Sequence, residues 1–400
     1  MRVLHLLDHS APRRSDYSRR AQALLQGLRS HGVHTVHLTG PRHAAGDAAG
    51  NAAAAAPDGW HFYRTALPAG MEGLARRAPR LGAAARTAAL ALRLRQVARL
   101  TRPDLIHVHL PSWNALAALP VAHLARLPLV VEADRRAGAA DPPPPALQAW
   151  LERRALDRAH AIAAGTAQVR ASLRADGVGG KRITVIPPAP DLPACRSASA
   201  IRTGLGPPGL EGAPLLAYAG GFGPLDGLEL LLAAFAVLRR TYPALRLVVA
   251  GDGDGALAER TGARDMRGHV VVTGALSYRR AADLLPRADI AVFPTLHAAG
   301  ALSPSRHLLN AMAQGCAIVA SDTVCHRELL VHGHSGILFQ AGSRNALAEA
   351  MAGLLAEPWR LAALGAAAAE FIQGRRSWDL TARRYRRLYE TVLAQNGKQR

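Results

Sequence analysis

Lysine is nearly absent. Lys181 and Lys398 are the only two, so arginine carries almost all the basic charge of a chain whose formal net charge is +20. In an alanine-rich sequence this is the pattern of a GC-rich coding bias. A strongly basic surface neutralises phosphates, but aromatic residues make up only 4% of the chain, and no aromatic platform or zinc-finger spacing is there to read bases. Nucleic acid is therefore not an expected partner. Long apolar runs are missing too. The nearest, residues 115–133, is interrupted by Pro120, His123, Arg126 and Pro128, which argues against a transmembrane helix. The three cysteines, Cys195, Cys316 and Cys325, show no metal-like spacing, and an odd count argues against a disulfide framework. The opening MRVLHLLDHS has one basic residue and an apolar run broken by His5, so it reads as a first strand rather than a signal-peptide core. A reducing cytoplasm is the expected compartment.

At 400 residues the chain is long enough for two domains, each with its own core. Short apolar runs alternate with helical periodicity, the pattern of parallel sheets covered by helices. Strands are expected at 2–7, 35–38, 105–108, 129–131, 159–163 and 183–186, then at 215–218, 245–250, 270–273, 290–293 and 317–320. Two Rossmann-like halves follow. Residues 187–214, rich in Pro, Gly and Ser, form the best linker. The basicity is uneven: residues 1–200 hold 27 Lys+Arg against 13 Asp+Glu, net +14, while residues 201–400 hold 22 against 16, net +6. That asymmetry suits a first domain resting on an anionic membrane surface or binding an anionic acceptor. Arg95, Arg99 and Arg102 form a stripe on a helix expected over 83–101, although most such stripes are simply solvated faces.

Glycines mark the ends of several strands. Gly220-Gly221-Phe222-Gly223 follows the first strand of the second half and precedes a helix, where backbone N–H groups can approach a phosphate. Gly251-Asp252-Gly253 follows the next strand and matches a dinucleotide fingerprint only weakly. His109 lies at the C-terminal end of a strand, where open α/β sheets place ligands, and a structural histidine in a strand-end turn fits it equally well. No carboxylate cluster offers hard-cation ligands, so no metal is expected.

The most specific stretch is 292–339. A strand ends at Pro294, Ala311-Met312-Ala313-Gln314-Gly315 leads into the next strand, His326-Arg327-Glu328-Leu329-Leu330 follows, and Gly333 and Gly336 precede Ile337-Leu338-Phe339. These offsets resemble the donor site of family 4 glycosyltransferases of GT-B fold. Their Glu-x7-Glu pair falls here on Leu302 and Asn310. Within that family the closest likeness is to the exosortase A-associated (PEP-CTERM) glycosyltransferases. It rests on the opening LHLLDHSAPRRSDYSRRAQALLQGLRSHG, LTGPRH around Pro41, Val131-Glu132, Gly221-Phe222 with Asp226-Gly227-Leu228, and the closing Ser377-Trp378-Asp379.

The resemblance implies an α/β GT-B architecture: two Rossmann-like domains facing across a cleft, with a C-terminal helix returning to the first. The expected boundaries are an acceptor-side domain at 1–195, a linker at 196–213, a nucleotide-sugar domain at 214–375 and a crossover helix at 376–400. A plain core helix is the alternative for the last segment. The implied activity is that of a hexosyltransferase: retaining transfer from a nucleotide-sugar donor to a polysaccharide or lipid-linked acceptor, in exosortase-linked exopolysaccharide synthesis. No cofactor is implied. The protein would be cytoplasmic, with the inner membrane face as a peripheral location. Donor contacts would come from Gly220, Gly221, Phe222, Gly251, Gly253, Ala275, Leu276, Ser303, Ser305, Arg306, His307, Asn310 and Glu328. In that reading Arg306 or His307 faces the diphosphate, Asn310 hydrogen-bonds sugar or ribose hydroxyls in place of Glu, and His109 and Asn310 are the catalytic candidates. Ser15, Asp16, Tyr17 and Glu132 would stand on the acceptor side, with Asp16 adding bulk and charge where the family tends to have Gly. The alternative is a catalytically silent paralogue that binds a nucleotide sugar or a partner enzyme.

Overall fold

The computed structural model describes the chain apart from residues 11–15, 41–59, 67–78, 110–113, 134–145, 179–181, 192–212, 252–265, 267, 275–283, 297–304 and 398–400. The chain divides into two compact units. The first is built from Met1–Arg135, Ala140–Pro188 and Trp378–Arg400, and the second from Ala189–Ser377.

The first unit holds seven parallel strands: β1 Arg2–Leu7, β2 His34–Thr39, β3 Tyr63–Arg64, β4 Leu105–Val108, β5 Leu129–Ala133, β6 Ala161–Ala164 and β7 Arg182–Val185, in the order β3-β2-β1-β4-β5-β6-β7. Helices cover this sheet: α1 Asp16–Ser30, α2 Pro79–Thr101, α3 Ala115–Ala125, α4 Ala146–Arg158 and α5 Ala167–Ala175. Strands buried on both faces need continuous apolar runs, and β1, β4, β5 and β6 have them almost throughout. The second unit has six parallel strands: β8 Leu215–Ala219, β9 Arg246–Ala250, β10 Val270–Gly274, β11 Ile290–Phe293, β12 Ala317–Ser321 and β13 Ile337–Phe339, in the order β10-β9-β8-β11-β12-β13. Its helices are α6 Leu228–Thr241, α7 Arg306–Ala313, α8 Val324–Arg327, α9 Arg344–Ala356 and α10 Pro358–Arg375.

The final helix, α11 Trp378–Gly397, follows the second unit in sequence but belongs to the first. Its buried face, Ala382, Tyr385, Leu388, Tyr389 and Val392, joins a core with Val3, Leu24, Leu28, Leu105 and Val130. A Cβ on Gly27 of α1 would stand 3.0 Å from the Ala382 Cβ, so that glycine lets the two helices approach. Returning to the first domain, rather than completing the core of the second, is thus the arrangement found. All eleven expected strands are present within a few residues. β3 and β13, two and three residues long, add an edge strand to each sheet.

Candidate functional site

In each sheet the strand order reverses at one place, between β1 and β4 and between β8 and β11. Loops leaving neighbouring strands there run in opposite directions and open a crevice at the carboxyl ends, the general ligand position of open α/β sheets.

In the second unit this end is lined by backbone. A Cβ on Gly251, just after β9, would lie 1.9 Å from the carbonyl oxygen of Gly220, just after β8. Gly227, at φ +75°, caps the N-terminus of α6, and a Cβ there would lie 1.9 Å from the Pro294 carbonyl oxygen. The ends of β8, β9 and β11 therefore meet at distances only glycine permits. Within the loop the Gly220 amide donates to Ala250 O (3.0 Å), the Gly251 amide to Gly274 O (3.1 Å), and the Gly223 amide to the Asp226 carboxylate (2.9 Å). The Tyr218 hydroxyl donates to Gly221 O. The amides of Gly221 and Phe222 make no hydrogen bond among the described residues.

Ser305 caps α7, its hydroxyl accepting the His307 amide at 3.1 Å. One turn on, the buried Asn310 accepts the Asp191 backbone N–H on its Oδ1 at 2.8 Å, and Arg306 reaches the Asp191 carboxylate at 3.7 Å, with 37% of the Arg306 side chain exposed against 8% for Asp191. Arg306 and Asn310 are thus brought together by Asp191. Glu328 ends α8, and no ion pair joins it to Arg306 among the described residues. Gly253, Ala275, Leu276, Leu302, Ser303 and residues 196–212 of the expected linker lie outside the described residues.

In the first unit the corresponding end is lined by side chains. The register sets His37, His5 and His107 side by side across β2, β1 and β4. His109 follows two residues after His107, and Glu132 projects from β5. All five are buried. His109 is engaged at both ring nitrogens, Nδ1 at 3.1 Å from Glu132 and Nε2 at 2.9 Å from His5 Nδ1. Helix α11 closes the layer: the Tyr385 hydroxyl donates to Glu132 at 2.6 Å, and the Tyr389 hydroxyl lies 2.7 Å from His107 Nδ1.

Burial, and then the charges of neighbouring histidines, holds the His5 imidazole well below its usual range; burial does the same for His107 and brings His37 down to about 3. For Glu132 burial alone would raise the carboxyl, but the charge and hydrogen bond of His109 outweigh it and hold the group well below the ordinary carboxylate range. On the acceptor side, Asp16 begins α1, and the Tyr17 hydroxyl accepts the Asp8 amide at 3.0 Å, while His9 Nδ1 sits 3.0 Å from the Asp8 carboxylate. Ser15 lies outside the described residues. His5, Tyr385 and Tyr389 were not named as site residues in the sequence. The available signal was three histidines, His5, His37 and His107, inside buried strands, with His109 just beyond the end of β4.

Two family models match, one for each half: a glycosyl transferase 4-like domain over residues 17–189 and glycosyl transferases group 1 over residues 213–357. A phosphatidyl-myo-inositol mannosyltransferase of Mycolicibacterium smegmatis is 32% identical over 170 residues, 42% of this chain and 42% of that protein. The chain thus aligns with less than half the length of that curated relative. Among solved structures, sucrose-phosphate synthase from Thermosynechococcus elongatus superposes with a TM-score of 0.74 at 17% identity, covering 98% of this chain and 99% of that one. Anabaena Alr3699/HepE in complex with UDP and glucose gives 0.72 at 15% identity, covering 97% and 99%.

Proposed function

We infer that this chain, which belongs to the family 4-like glycosyltransferases of GT-B fold, moves a sugar from a nucleotide-sugar donor to a polysaccharide or lipid-linked acceptor. The observation that carries the reading is the glycine-only meeting of the β8, β9 and β11 ends at the switch point of the second unit. Main-chain amides at such a switch point can meet an anionic donor directly. The UDP and glucose held by the HepE structure support a nucleotide sugar as that donor. The lipid named in the mannosyltransferase relative supports a lipid-linked acceptor. The exosortase-linked setting rests on the sequence resemblance.

Transfer breaks the bond between the sugar's anomeric carbon and the diphosphate and forms one to an acceptor oxygen, so charge builds on the leaving diphosphate and must be stabilised. Gly221 and Phe222 amides and the half-exposed Arg306 are the groups assigned to it. Asp191 already balances part of the Arg306 charge, and the Gly223 amide is taken by Asp226. Asn310 holds Asp191 in place beneath Arg306 and acts on the donor through that pair. His109 and Glu132 shape the acceptor side of the first unit.

The test is native mass spectrometry with mixed UDP-, GDP-, ADP- and dTDP-sugars, beside the Arg306→Ala variant, which removes the guanidinium assigned to the diphosphate. One nucleotide sugar bound by the wild type and lost in the variant supports the reading; binding of none by the wild type overturns it. Turnover of the bound donor separates an enzyme from a silent paralogue.

A peripheral membrane role belongs to the same proposal. Among the described residues no helix is long and apolar enough to cross a membrane. Helix α2, however, exposes Leu81 and Leu92 along with Arg95 and Arg99, and a concavity of about 500 Å³ between α2 and α3 is lined by Arg95, Arg99, Arg102 and the exposed Leu124. Apolar side chains beside guanidinium groups that form no ion pair among the described residues suit an anionic lipid surface.

A further inference from the structure

Two buried histidines of the first unit, His5 and His107, raise an accounting problem that the transferase reading leaves open. A neutral imidazole carries one N–H and one lone pair, and each needs a partner when buried. His5 and His107 are both 0% exposed, yet the Nε2 atoms of both have no hydrogen-bond partner among the described residues. Two unsatisfied atoms in one cluster cost about 1–3 kcal/mol each. An apolar residue at either place would avoid that penalty.

The remaining contacts show what the cluster is arranged to hold. His109 Nδ1–H donates to the Glu132 carboxylate, which leaves Nε2 as the lone-pair atom. His107 is engaged at Nδ1 by the Tyr389 hydroxyl, which leaves its Nε2 facing the cluster. His5 Nδ1 lies 2.9 Å from His109 Nε2. One ring nitrogen from each of His5, His107 and His109 fits within a set whose members all lie within 4.8 Å of one another. A carboxylate or hydroxyl on the far nitrogen is the usual outer support of a metal-binding histidine, fixing its tautomer and aim.

We propose that His5, His107 and His109 form a structural binding site for a divalent transition metal that prefers imidazole, with zinc the expected ion and a water completing four-coordination. Glu132 and Tyr389 orient two of the three ligands from outside. The ion takes up the partnerless Nε2 of His107. On binding, the His5 proton moves from Nδ1 to Nε2, so the shared contact between His5 Nδ1 and His109 Nε2 gives way to two metal–nitrogen bonds and no proton is released, while the His5 Nε2 is not filled by the ion. The site lies wholly in the first unit and is independent of the donor reading. Loading of so buried a site accompanies folding.

The full chain is refolded with zinc, or with cobalt(II) as a spectroscopic substitute, desalted, and its metal content measured by plasma mass spectrometry. The expected result is about one equivalent per chain, with the visible d–d bands of tetrahedral cobalt. His5→Leu should lose both. His37→Leu should keep both, because His37 stands in the same row but bonds the His61 carbonyl and the Thr35 hydroxyl instead. If His5→Leu fails to fold, Tyr389→Phe retains three imidazoles and should bind ten- to a hundredfold more weakly. Metal-free wild type after refolding, metal retained in His5→Leu, or unchanged affinity in Tyr389→Phe would each overturn the site.

Discussion

The two sheets share one parallel strand order through their first six strands, but their switch points are finished by opposite means. In the second unit, Gly220, Gly227 and Gly251 bring backbone against backbone at the ends of β8, β9 and β11, with the Phe222 ring packed beside Gly251. In the first, His5, His107, His109 and Glu132 fill the end of β1, β4 and β5, locked by two tyrosines from α11. One end is built of closely packed main chain and the other holds a fixed polar layer. The same fold therefore offers a ligand crevice on one side and a rigid, titratable support on the other. Fold alone does not assign function to either.

The contrast breaks most sharply at the glycines. Gly227→Ala combines a left-handed φ of +75° with a Cβ 1.9 Å from the Pro294 oxygen, and should destabilise the protein by roughly 3 kcal/mol or more, read by chemical denaturation. A loss under about 1 kcal/mol would mean the strand ends yield easily and the crevice is not rigid.

Next in size is the response to acid. His5, His37 and His107 have folded pKa values below their unfolded ones. Above the unfolded value, near 6.5, both states are neutral and nothing is lost; as pH falls below it, the unfolded chain binds protons that the folded chain refuses, and stability drops. Between pH 7 and 5.5 this amounts to roughly 1 kcal/mol per histidine. In the second unit His326 shares this behaviour through burial, but it stands away from the glycine crevice. Native-state hydrogen exchange, corrected for the intrinsic pH dependence, should show β1 and β4 loosening more than β8 and β9. Equal loosening of both sheets would erase the contrast.

Tyr385→Phe sharpens it further. Removing the hydroxyl that donates to Glu132 leaves a buried carboxylate short of a donor, at a cost of about 1.5–3 kcal/mol in thermal or denaturant unfolding. Arg306→Ala is the smallest structural change. Its pair with Asp191 is long and partly exposed, so stability should fall by less than about 1 kcal/mol while nucleotide binding weakens. Strong destabilisation by that change would make Arg306 a structural rather than a donor residue.

Legibility in the sequence divided along the same line. Buried parallel strands are unbroken apolar runs, so all eleven longer strands could be read, whereas β3 and β13 are too short to show any pattern. Glycine positions were equally readable, because a strand followed by Gly-Gly is a local signal. The polar layer was not. His5 meets His109 across 104 residues, Asp191 meets Asn310 across 119, and Tyr385 meets Glu132 across 253, and no local rule joins residues that far apart. Tyr385 and Tyr389 were legible only as the apolar face of a helix; their hydroxyl partners exist only once α11 has returned to the first sheet.

The division of labour between the two ends is tested most directly by hydrogen exchange of the full chain with and without a saturating nucleoside diphosphate, taken from the panel of UDP, GDP, ADP and dTDP. The account predicts that one of them protects the amides of Gly221 and Phe222 and the start of α7 near Arg306, while β1, β4 and β5 are unchanged. Protection centred on the first unit, or none with any of the four, would contradict it.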